Sequence, residues 1–330
     1  MSLRITLLGA AALALAPAAW SAAPSPAAAP SPNATAFLVE GPHGEVLAQH
    51  NASHEVPIAS LTKLMTILIS LGHLRLHQQV TVPYAVTTVG ESSADLKTGD
   101  VVSVRDLLGA ALVPSANDAA DTLAYAASRG ESFSQFATRM NARARALGLR
   151  HTHFDRPDGL STGDESSARD ITKLARLLMR KPVIRSIVRQ HSTTIEGRTL
   201  LARNNLLSTF PGTIGVKTGN TDAAGWCEIA AVRRNGVTVY VTVLGAPSER
   251  KRDADLAELL DWAITRYRPA VVASPNTVYA QVPTQYGRFP VDLVAPRRIV
   301  RPVRAGHPFV ERVVADGPAS LPVHLRARVG

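Results

Sequence analysis

The feature that most constrains the fold is a helical middle section with β-type runs on both sides of it. Residues 35–50 contain two short β-like runs around a turn, which is typical of a hairpin. Between residues 60 and 179, apolar residues recur in several runs at helical spacing. After Gly212 the spacing returns to that of strands, with a tight turn at Asn235-Gly236. Because strands from both ends enclose the helices, the sequence predicts an α+β fold, in which one mixed sheet flanked by helices carries a helical subdomain.

Capping and breaking residues predict where the helices begin and end. Ser132 and Gln135 have the spacing of a capping box. The expected helices are one that begins at Ser60, an alanine-rich stretch over 104–149 broken at Pro114 and Gly130, one over 168–179 with Pro182 beyond its end, and one over 253–267.

The N-terminal residues have the order of a secretory signal. Arg4 precedes an apolar run over 5–16, and small residues follow it. This run is shorter than the roughly 20 residues that a spanning helix needs. We therefore expect an exported protein with a signal peptide over 1–23, a Pro/Ala/Ser-rich tether over 24–33 and a folded domain over 34–270.

The C-terminal residues predict a second, small module. Residues 271–330 contain short β-like runs separated by proline and glycine, and their arginines outnumber their acidic residues. We expect a basic, β-rich module whose surface is either solvated or makes peripheral contact with an anionic wall or membrane.

Composition limits the classes of function. The 330 residues are 45% hydrophobic and 19% charged, which fits a globular protein with one sizeable core. The net charge of +10 favours contact with polyanions. Because an exported chain meets anionic wall polymers and membranes, we expect no nucleic acid partner. Cys227 is the only cysteine, so no internal disulfide is possible, and its apolar surroundings predict a buried side chain.

The first candidate for chemistry is Ser60-Leu61-Thr62-Lys63. The hydroxyl and the amine lie three residues apart near a helix start, so they share one face. A serine becomes a nucleophile when a nearby base takes its proton, and a desolvated lysine is such a base. Alone the pattern is weak, because an N-cap followed by a surface lysine has the same spacing.

Two further groups of residues add to this one. Ser115-Ala116-Asn117 follows Pro114 at a helix break, where it either projects into a cleft or caps the next helix. Lys217-Thr218-Gly219 ends a β-like run, where a lysine and a hydroxyl are suited to hold a carboxylate and glycine permits close approach. A second copy, Lys97-Thr98-Gly99, lies between a loop and a helix, and we expect it to be a surface turn.

Together these groups resemble the penicillin-recognising serine enzymes, whose motifs are Ser-x-x-Lys, Ser-x-Asn and Lys-Thr-Gly in this order. Among them the chain is most similar to the D-alanyl-D-alanine carboxypeptidases, the low-molecular-mass penicillin-binding proteins of serine peptidase family S11. The likeness extends over roughly residues 34–267. It includes the stretches that begin at Pro57, Ser115, Ala146, His153, Ser166, Gly215 and Leu259.

The resemblance implies a role for each matching position. Ser60 would attack the carbonyl between two terminal D-alanines of a peptidoglycan stem peptide, and Lys63 would accept its proton. The amides of Ser60 and Asn220 would form the oxyanion hole, and Ser115 would relay a proton to the leaving amine. Asn117 would orient Lys63 and the substrate. Lys217 and Thr218, beside Gly219, would bind the terminal carboxylate, helped by Arg252 ahead of the last helix. Water would hydrolyse the acyl-enzyme, and a β-lactam would stall there.

The chain departs from the family in two places. Many relatives have histidine where this chain has Asn220, which leaves a backbone role intact but changes the surroundings of Lys217. The segment after Ala273 is shorter than the family's usual β domain and lacks a terminal amphipathic helix for lying on a membrane.

Other functions differ in how well the residues fit them. A class A β-lactamase would need Glu-x-x-Leu-Asn, which this chain lacks. A DD-endopeptidase that cleaves cross-links would use the same site and stays open, as does a non-catalytic wall-binding protein. His151 and His153 have metal-ligand types at close spacing, but no matching further ligands are visible, so we expect neither metal nor cofactor.

Overall fold

The computed structural model describes residues 28–86, 92–234 and 236–273, then the strand residues 278–282, 291–294, 299–304, 309–314 and 322–327; from residue 268 onward it gives the backbone alone. The predicted signal peptide over 1–23 and the first four residues of the predicted tether, 24–27, lie outside the described residues. Within the described ranges, no helix is both long and apolar enough to cross a membrane.

The helices in this part of the chain are α1 Lys63–His73, α2 Val104–Leu112, α3 Asn117–Ser128, α4 Phe133–Ala146, α5 Ala168–Leu178, α6 Pro182–Val188, α7 Leu206–Thr209 and α8 Glu249–Ile264, with 3-10 turns at Ala59–Thr62 and Tyr84–Val86. The strands are β1 Ala36–Glu40, β2 Val46–His50, β3 Val56–Pro57, β4 Gln79–Thr81, β5 Val101–Ser103, β6 Thr152–His153, β7 Glu165–Ser166, β8 Ser192–Ile195, β9 Arg198–Leu201, β10 Thr213–Thr221, β11 Gly225–Arg234, β12 Val237–Ala246, β13 Tyr267–Ala273, β14 Val278–Val282, β15 Val291–Val294, β16 Ile299–Arg304, β17 Phe309–Val314 and β18 Pro322–Ala327.

The central sheet joins the two ends of the main domain. Its strand order is β10-β11-β12-β1-β2, and its neighbours pair antiparallel. The pairing of β1 with β12 places Val39 opposite Val241, so residues near the start of the chain are held by residues two hundred positions later. The helices from α1 to α7 lie between these strands in the sequence and form the predicted insertion.

Apolar side chains on the two faces of the sheet form separate cores. On one face, Leu38 and Leu244 belong to a large cluster with the helical subdomain. On the other face, Val39 and Val243 pack with α8 through Leu256 and its neighbours. Alternation along β1 produces this division, because successive strand residues point to opposite faces. Burying one such leucine or valine side chain contributes about 1.5–3 kcal/mol.

Several helix boundaries differ from the predicted ones. The chain at Ser60 is a 3-10 turn, and α1 begins at Lys63. Pro182 is the first residue of α6, which fits the preference of proline for that position. The last helix begins at Glu249 instead of residue 253, because the Ser248 hydroxyl accepts a hydrogen bond from the Lys251 amide and caps it there. The capping box at Ser132 is confirmed.

The C-terminal residues form strand pairs, as the sequence predicts. Strand β13 pairs with β16, β14 with β15, and β17 with β18, all antiparallel. The predicted boundary at 271 falls inside β13, so the division into domains stays a prediction. The side chains of the basic module lie outside the described residues.

Candidate active site

The 3-10 turn over Ala59–Thr62 presents Ser60 at the end of α1. Ala59 has a φ of 48°, an uncommon value for a residue with a side chain, and such strain is often found at functional sites. Gly159 supports the turn from below. A Cβ atom on Gly159 would come within 2.3 Å of the Ala59 carbonyl oxygen, and Gly159 itself has a left-handed φ of +85°. Only glycine therefore fits beneath Ser60.

Lys63 lies one turn after Ser60, completely buried. Its Nζ donates hydrogen bonds to Ser60 Oγ at 2.7 Å, Asn117 Oδ1 at 2.7 Å and the Asp158 carbonyl oxygen at 2.5 Å. Burial lowers the pKa of Lys63 to about 8, against the opposing effect of nearby carboxyl groups, of which Asp158 and Asp121 have the largest effects. A substantial fraction of this amine is consequently neutral near pH 8, the form that accepts a proton.

Ser115 and Asn117 reach the same place from the connection between α2 and α3. Ser115 has a φ of 71°, which turns its side chain out of the helical course. The N-cap of α3 is Ala116, and it makes no side-chain capping bond. The serine and the asparagine are thus not used as helix caps, because Ser115 Oγ meets Lys217 and Asn117 Oδ1 meets Lys63.

Strand β10 forms the opposite wall through the Lys-Thr-Gly motif. Lys217 is 1% exposed, and its Nζ donates to Ser115 Oγ and to the Thr218 carbonyl oxygen, each at 2.7 Å. Burial holds the pKa of Lys217 well below its usual value, and the nearby Lys63 adds to this effect. A Cβ atom on Gly219 would lie 3.0 Å from the Ser60 amide nitrogen and 3.0 Å from the Ile58 carbonyl oxygen. The motif's glycine therefore lets β10 pass directly against the turn.

These groups surround one cleft of about 300 Å³. Its lining combines six predicted positions with four residues that the sequence did not single out: Ser60, Ser115, Thr218, Gly219, Asn220 and Arg252, then Ser92, Arg203, Trp226 and Glu249. Arg203 is exposed, and its Nη2 donates to Ser92 Oγ at 3.1 Å. It stands on the loop after β9, about 90 residues along the chain from Ser115, and no local pattern marks it.

The placement predicted for Arg252 was wrong. It lies within the first turn of α8, not ahead of the helix, and is 1% exposed. Its guanidinium contacts Glu228 at 3.0 Å and Asp253 at 2.6 Å, and it lies over the Trp226 ring. Glu228 is fully buried opposite Thr218 on the neighbouring strand, and burial raises its pKa to about 8. Glu228 was not predicted as a site residue. The one signal that could have identified it is a glutamate within an otherwise apolar strand.

The remaining candidate residues lie elsewhere. Lys97, Thr98 and Gly99 are exposed in a turn, as predicted. His151 pairs with Glu55 at 3.1 Å and His153 with Asp155 at 2.9 Å, both on the surface. Cys227 is buried in β11, as predicted, and burial raises the pKa of its thiol to about 11.

The cleft thus brings together two serines, two buried lysines and an asparagine from three separate motifs. Residues 23–248 match the peptidase S11 family, described as D-alanyl-D-alanine carboxypeptidase. The chain belongs to this family. The resemblance inferred from the motifs is therefore confirmed, and this S11 peptidase is a serine-type hydrolase.

Individual relatives of this S11 peptidase carry more than one activity in their names. A D-alanyl-D-alanine carboxypeptidase of Bacillus subtilis is 29% identical over 265 residues, which are 77% of this chain and 68% of the relative. A D-alanyl-D-alanine endopeptidase of Pseudomonas aeruginosa is 31% identical over 261 residues, 75% of this chain and 82% of the relative. A solved structure of a substituted Streptomyces K15 DD-transpeptidase has a TM-score of 0.69 at 32% identity, covering 72% of this chain and 99% of that one. The predicted α+β fold is confirmed by this likeness.

Proposed function

We propose that this chain is a serine-type D-alanyl-D-alanine carboxypeptidase that removes the terminal D-alanine of peptidoglycan stem peptides through an acyl-enzyme. The observation that carries the proposal is the position of Lys63 Nζ, at 2.7 Å from both Ser60 Oγ and Asn117 Oδ1. A buried amine in hydrogen-bond contact with a hydroxyl is the arrangement that activates a serine nucleophile.

Acylation follows from this arrangement. The neutral Lys63 amine takes the hydroxyl proton as Ser60 Oγ attacks the carbonyl carbon between the two D-alanines. The amides of Ser60 and Asn220 bind the oxyanion, since β10 passes against the 3-10 turn at Gly219. Ser115 Oγ then gives its proton to the leaving amine and is reprotonated with the proton that Lys63 took from Ser60, which returns Lys63 to its neutral form. Ser115 is held for this by the hydrogen bond from Lys217 Nζ at 2.7 Å.

The leaving D-alanine is recognised by its carboxylate. Thr218 and Arg203 line the cleft next to Ser115, and Lys217 lies directly behind them. Because Arg252 is already paired with Glu228 and Asp253, it supports the positive potential of this end of the cleft and holds the wall through Trp226. Selectivity for a C-terminal carboxylate follows from this concentration of cations.

Water completes the cycle by attacking the acyl-enzyme, with Lys63 again as the base. A β-lactam presents a carbonyl and a carboxylate at comparable positions, so it acylates Ser60 and remains there. Penicillin binding therefore belongs to the same site as hydrolysis.

The proposal extends to the place of action. The signal-like residues 1–23 and the basic residues after 271 support an exported protein in the periplasm or the cell-wall compartment, with peripheral contact to an anionic wall or membrane. The name of the Pseudomonas aeruginosa relative supports endopeptidase cleavage of D-alanine cross-links as the second candidate activity.

Fluorescent penicillin and diacetyl-lysyl-D-alanyl-D-alanine test the proposal on the mature protein. We expect the parent to be labelled and to release D-alanine, and Ser60→Ala to do neither. Ser186→Ala is the matched control, because Ser186 is exposed on α6 and its hydroxyl contacts only the Val183 carbonyl oxygen among the described residues. A folded parent that is neither labelled nor active would favour the non-catalytic wall-binding protein. Cleavage of a cross-linked dimer in preference to the peptide would favour the endopeptidase.

A further inference from the structure

Two buried aspartates lie beneath the Lys63 amine. Asp121 is on α3, one turn after Asn117, and Asp158 is on the loop before Gly159. Both residues are fully buried. The backbone of Asp158 accepts the 2.5 Å hydrogen bond from Lys63, so the position of this loop sets the position of the amine.

The two carboxyl groups differ in the donors that surround them. Asp158 accepts hydrogen bonds from Arg156 Nη2 at 2.7 Å and from the Leu160 amide at 2.9 Å. Neither oxygen of Asp121 has an N–H or O–H donor among the described residues. Arg156 Nη2 stands 3.7 Å from Asp121 Oδ2, too far for a hydrogen bond. The same Arg156 Nη2 is 2.7 Å from Asp158 Oδ2, so the two buried carboxyl groups are neighbours, and the Asp158 carboxyl is the hydrogen-bond partner that affects the pKa of Asp121.

Two carboxyl groups in contact inside a protein do not both ionise, so one of them keeps its proton. The donors decide which one does so. Arg156 hydrogen bonds hold the pKa of Asp158 below its usual value although burial opposes this, whereas burial and then the Asp158 charge raise the pKa of Asp121 well above its usual value. Asp121 is therefore the acid of the pair and Asp158 the carboxylate.

We propose that Asp121 is a positioning residue for Lys63, because its protonated carboxyl donates a hydrogen bond to the Asp158 carboxylate and so fixes the loop that binds the amine. The inference rests on the proposed function, in which Lys63 is the base. It also explains the local charge balance. Asp158 and Arg156 carry opposite charges, so a neutral Asp121 adds no unpaired negative charge beneath Lys63.

The other ionisable groups around these two side chains stay the same in an Asp121 variant. Lys63 is also influenced by Asp164 and Asp118 and lies close to Lys217, while Asp121 is influenced by Asp158, Arg156 and Lys63. Differences between parent and variant therefore report on the Asp121 proton.

Urea unfolding of the parent and of Asp121→Asn over pH 5–8 tests whether Asp121 is protonated in the folded protein. In the unfolded chain Asp121 ionises above about pH 4, whereas in the folded chain it keeps its proton, so folding binds one more proton in the parent. The unfolding constant of the parent should therefore rise by up to about tenfold per pH unit relative to that of Asp121→Asn. Asp121→Ala must show the same pH dependence, since it too lacks this proton. A difference that does not change with pH would overturn the inference.

Penicillin acylation tests the positioning. Asp121→Asn keeps a donor of the same shape, so its acylation rate should stay within about threefold of the parent's. The acid limb of its pH–rate profile, where acylation rises with pH, should lie at the same pH as in the parent. Asp121→Ala removes the donor, and its acylation rate should fall about tenfold. An acid limb that moves to lower pH in Asp121→Asn, or an unchanged rate in Asp121→Ala, would overturn the role. If the parent itself does not react with penicillin, the proposed function fails, while the unfolding measurement still decides the state of Asp121.

Discussion

Lys63 Nζ lies 2.7 Å from Asn117 Oδ1, across 54 positions of sequence, and equally close to Ser60 Oγ only three residues away. The short-range contact follows from the 3-10 turn, in which residues three apart stand above one another. The long-range contact depends on α3 packing against α1. Both contacts are needed to hold the amine against the hydroxyl.

The first prediction concerns the pH dependence of acylation. Because the pKa of Lys63 is lowered to about 8, its base form is scarce at pH 6 and dominant at pH 9. The rate constant for labelling with fluorescent penicillin should rise about tenfold per pH unit below pH 8 and level off above it. Lys63→Arg, which stays charged throughout, should lose about 10²–10⁴-fold in this rate. A rate that is flat between pH 6 and pH 8 would contradict Lys63 as the base.

The second prediction concerns the glycine beneath the nucleophile. In Gly159→Ala the new Cβ would meet the Ala59 carbonyl oxygen, so the 3-10 turn must shift. We expect a loss of about 1–3 kcal/mol in the free energy of unfolding and at least tenfold slower acylation. Thermal unfolding and penicillin labelling measure the two effects.

Gly197→Ala is the matched control for Gly159→Ala. Gly197 also has a left-handed φ, of +73°, but a Cβ there would meet no atom within 4 Å. It should therefore show the backbone cost of about 1 kcal/mol with normal acylation. Equal acylation rates in the two variants would show that Gly159 does not position Ser60.

The third prediction concerns the buried pair Arg252–Glu228. Arg252→Leu leaves Glu228 buried without its guanidinium partner, and it should cost about 3–5 kcal/mol of unfolding free energy at pH values above 8, where Glu228 is ionised in the parent. In the parent, because the pKa of Glu228 is raised to about 8, the free energy of unfolding falls as the pH rises to about 8 and is constant above it. Without Arg252 the glutamate keeps its proton to higher pH, so the difference between the two proteins should widen above pH 8. Urea unfolding at pH 7 and pH 9 measures this difference.

The double variant Arg252→Leu/Glu228→Leu separates stability from substrate binding. It should recover most of the lost stability, because both charges are removed together. If Arg252 only stabilises the wall, the double variant should also recover KM for the peptide. A KM that stays raised at restored stability would show that Arg252 binds the substrate carboxylate directly.

The fourth prediction concerns the contact between Ser115 and Lys217. Ser115→Ala removes the hydroxyl that Lys217 holds at 2.7 Å. Because this hydroxyl delivers the proton to the leaving amine, its loss should slow D-alanine release by about 10²–10⁴-fold. The unfolding free energy should change by less than about 1 kcal/mol, since the backbone at this position still carries a Cβ atom. Ser128→Ala at the end of α3 is the control, because that buried hydroxyl contacts only helix carbonyl oxygens, such as that of Ala124, among the described residues. Normal release by Ser115→Ala would exclude the relay.

The sequence by itself determined the kind of fold and the principal groups of the site. The β-like run of β1 and the helical spacing within α5 are local patterns, so both elements could be predicted from neighbouring residues alone. The motifs at Ser60, Ser115 and Lys217 are short, and their order along the chain sufficed to identify the family. The predicted start of the last helix was wrong, because Ser248 caps α8 so that it begins four residues before the predicted first residue.

Only the tertiary structure decided which distant residues complete the site. Asp121, Gly159, Arg203 and Glu228 carry no local pattern of function. They matter because packing brings three of them close to Ser60, Lys63 or Arg252 and places Arg203 in the lining of the same cleft. The physical reason is that burial and charge act over a few ångströms of space, whatever the separation along the chain. A sequence shows which groups are present, whereas the pKa of a buried lysine and the partner of a buried arginine depend on what the fold places beside them.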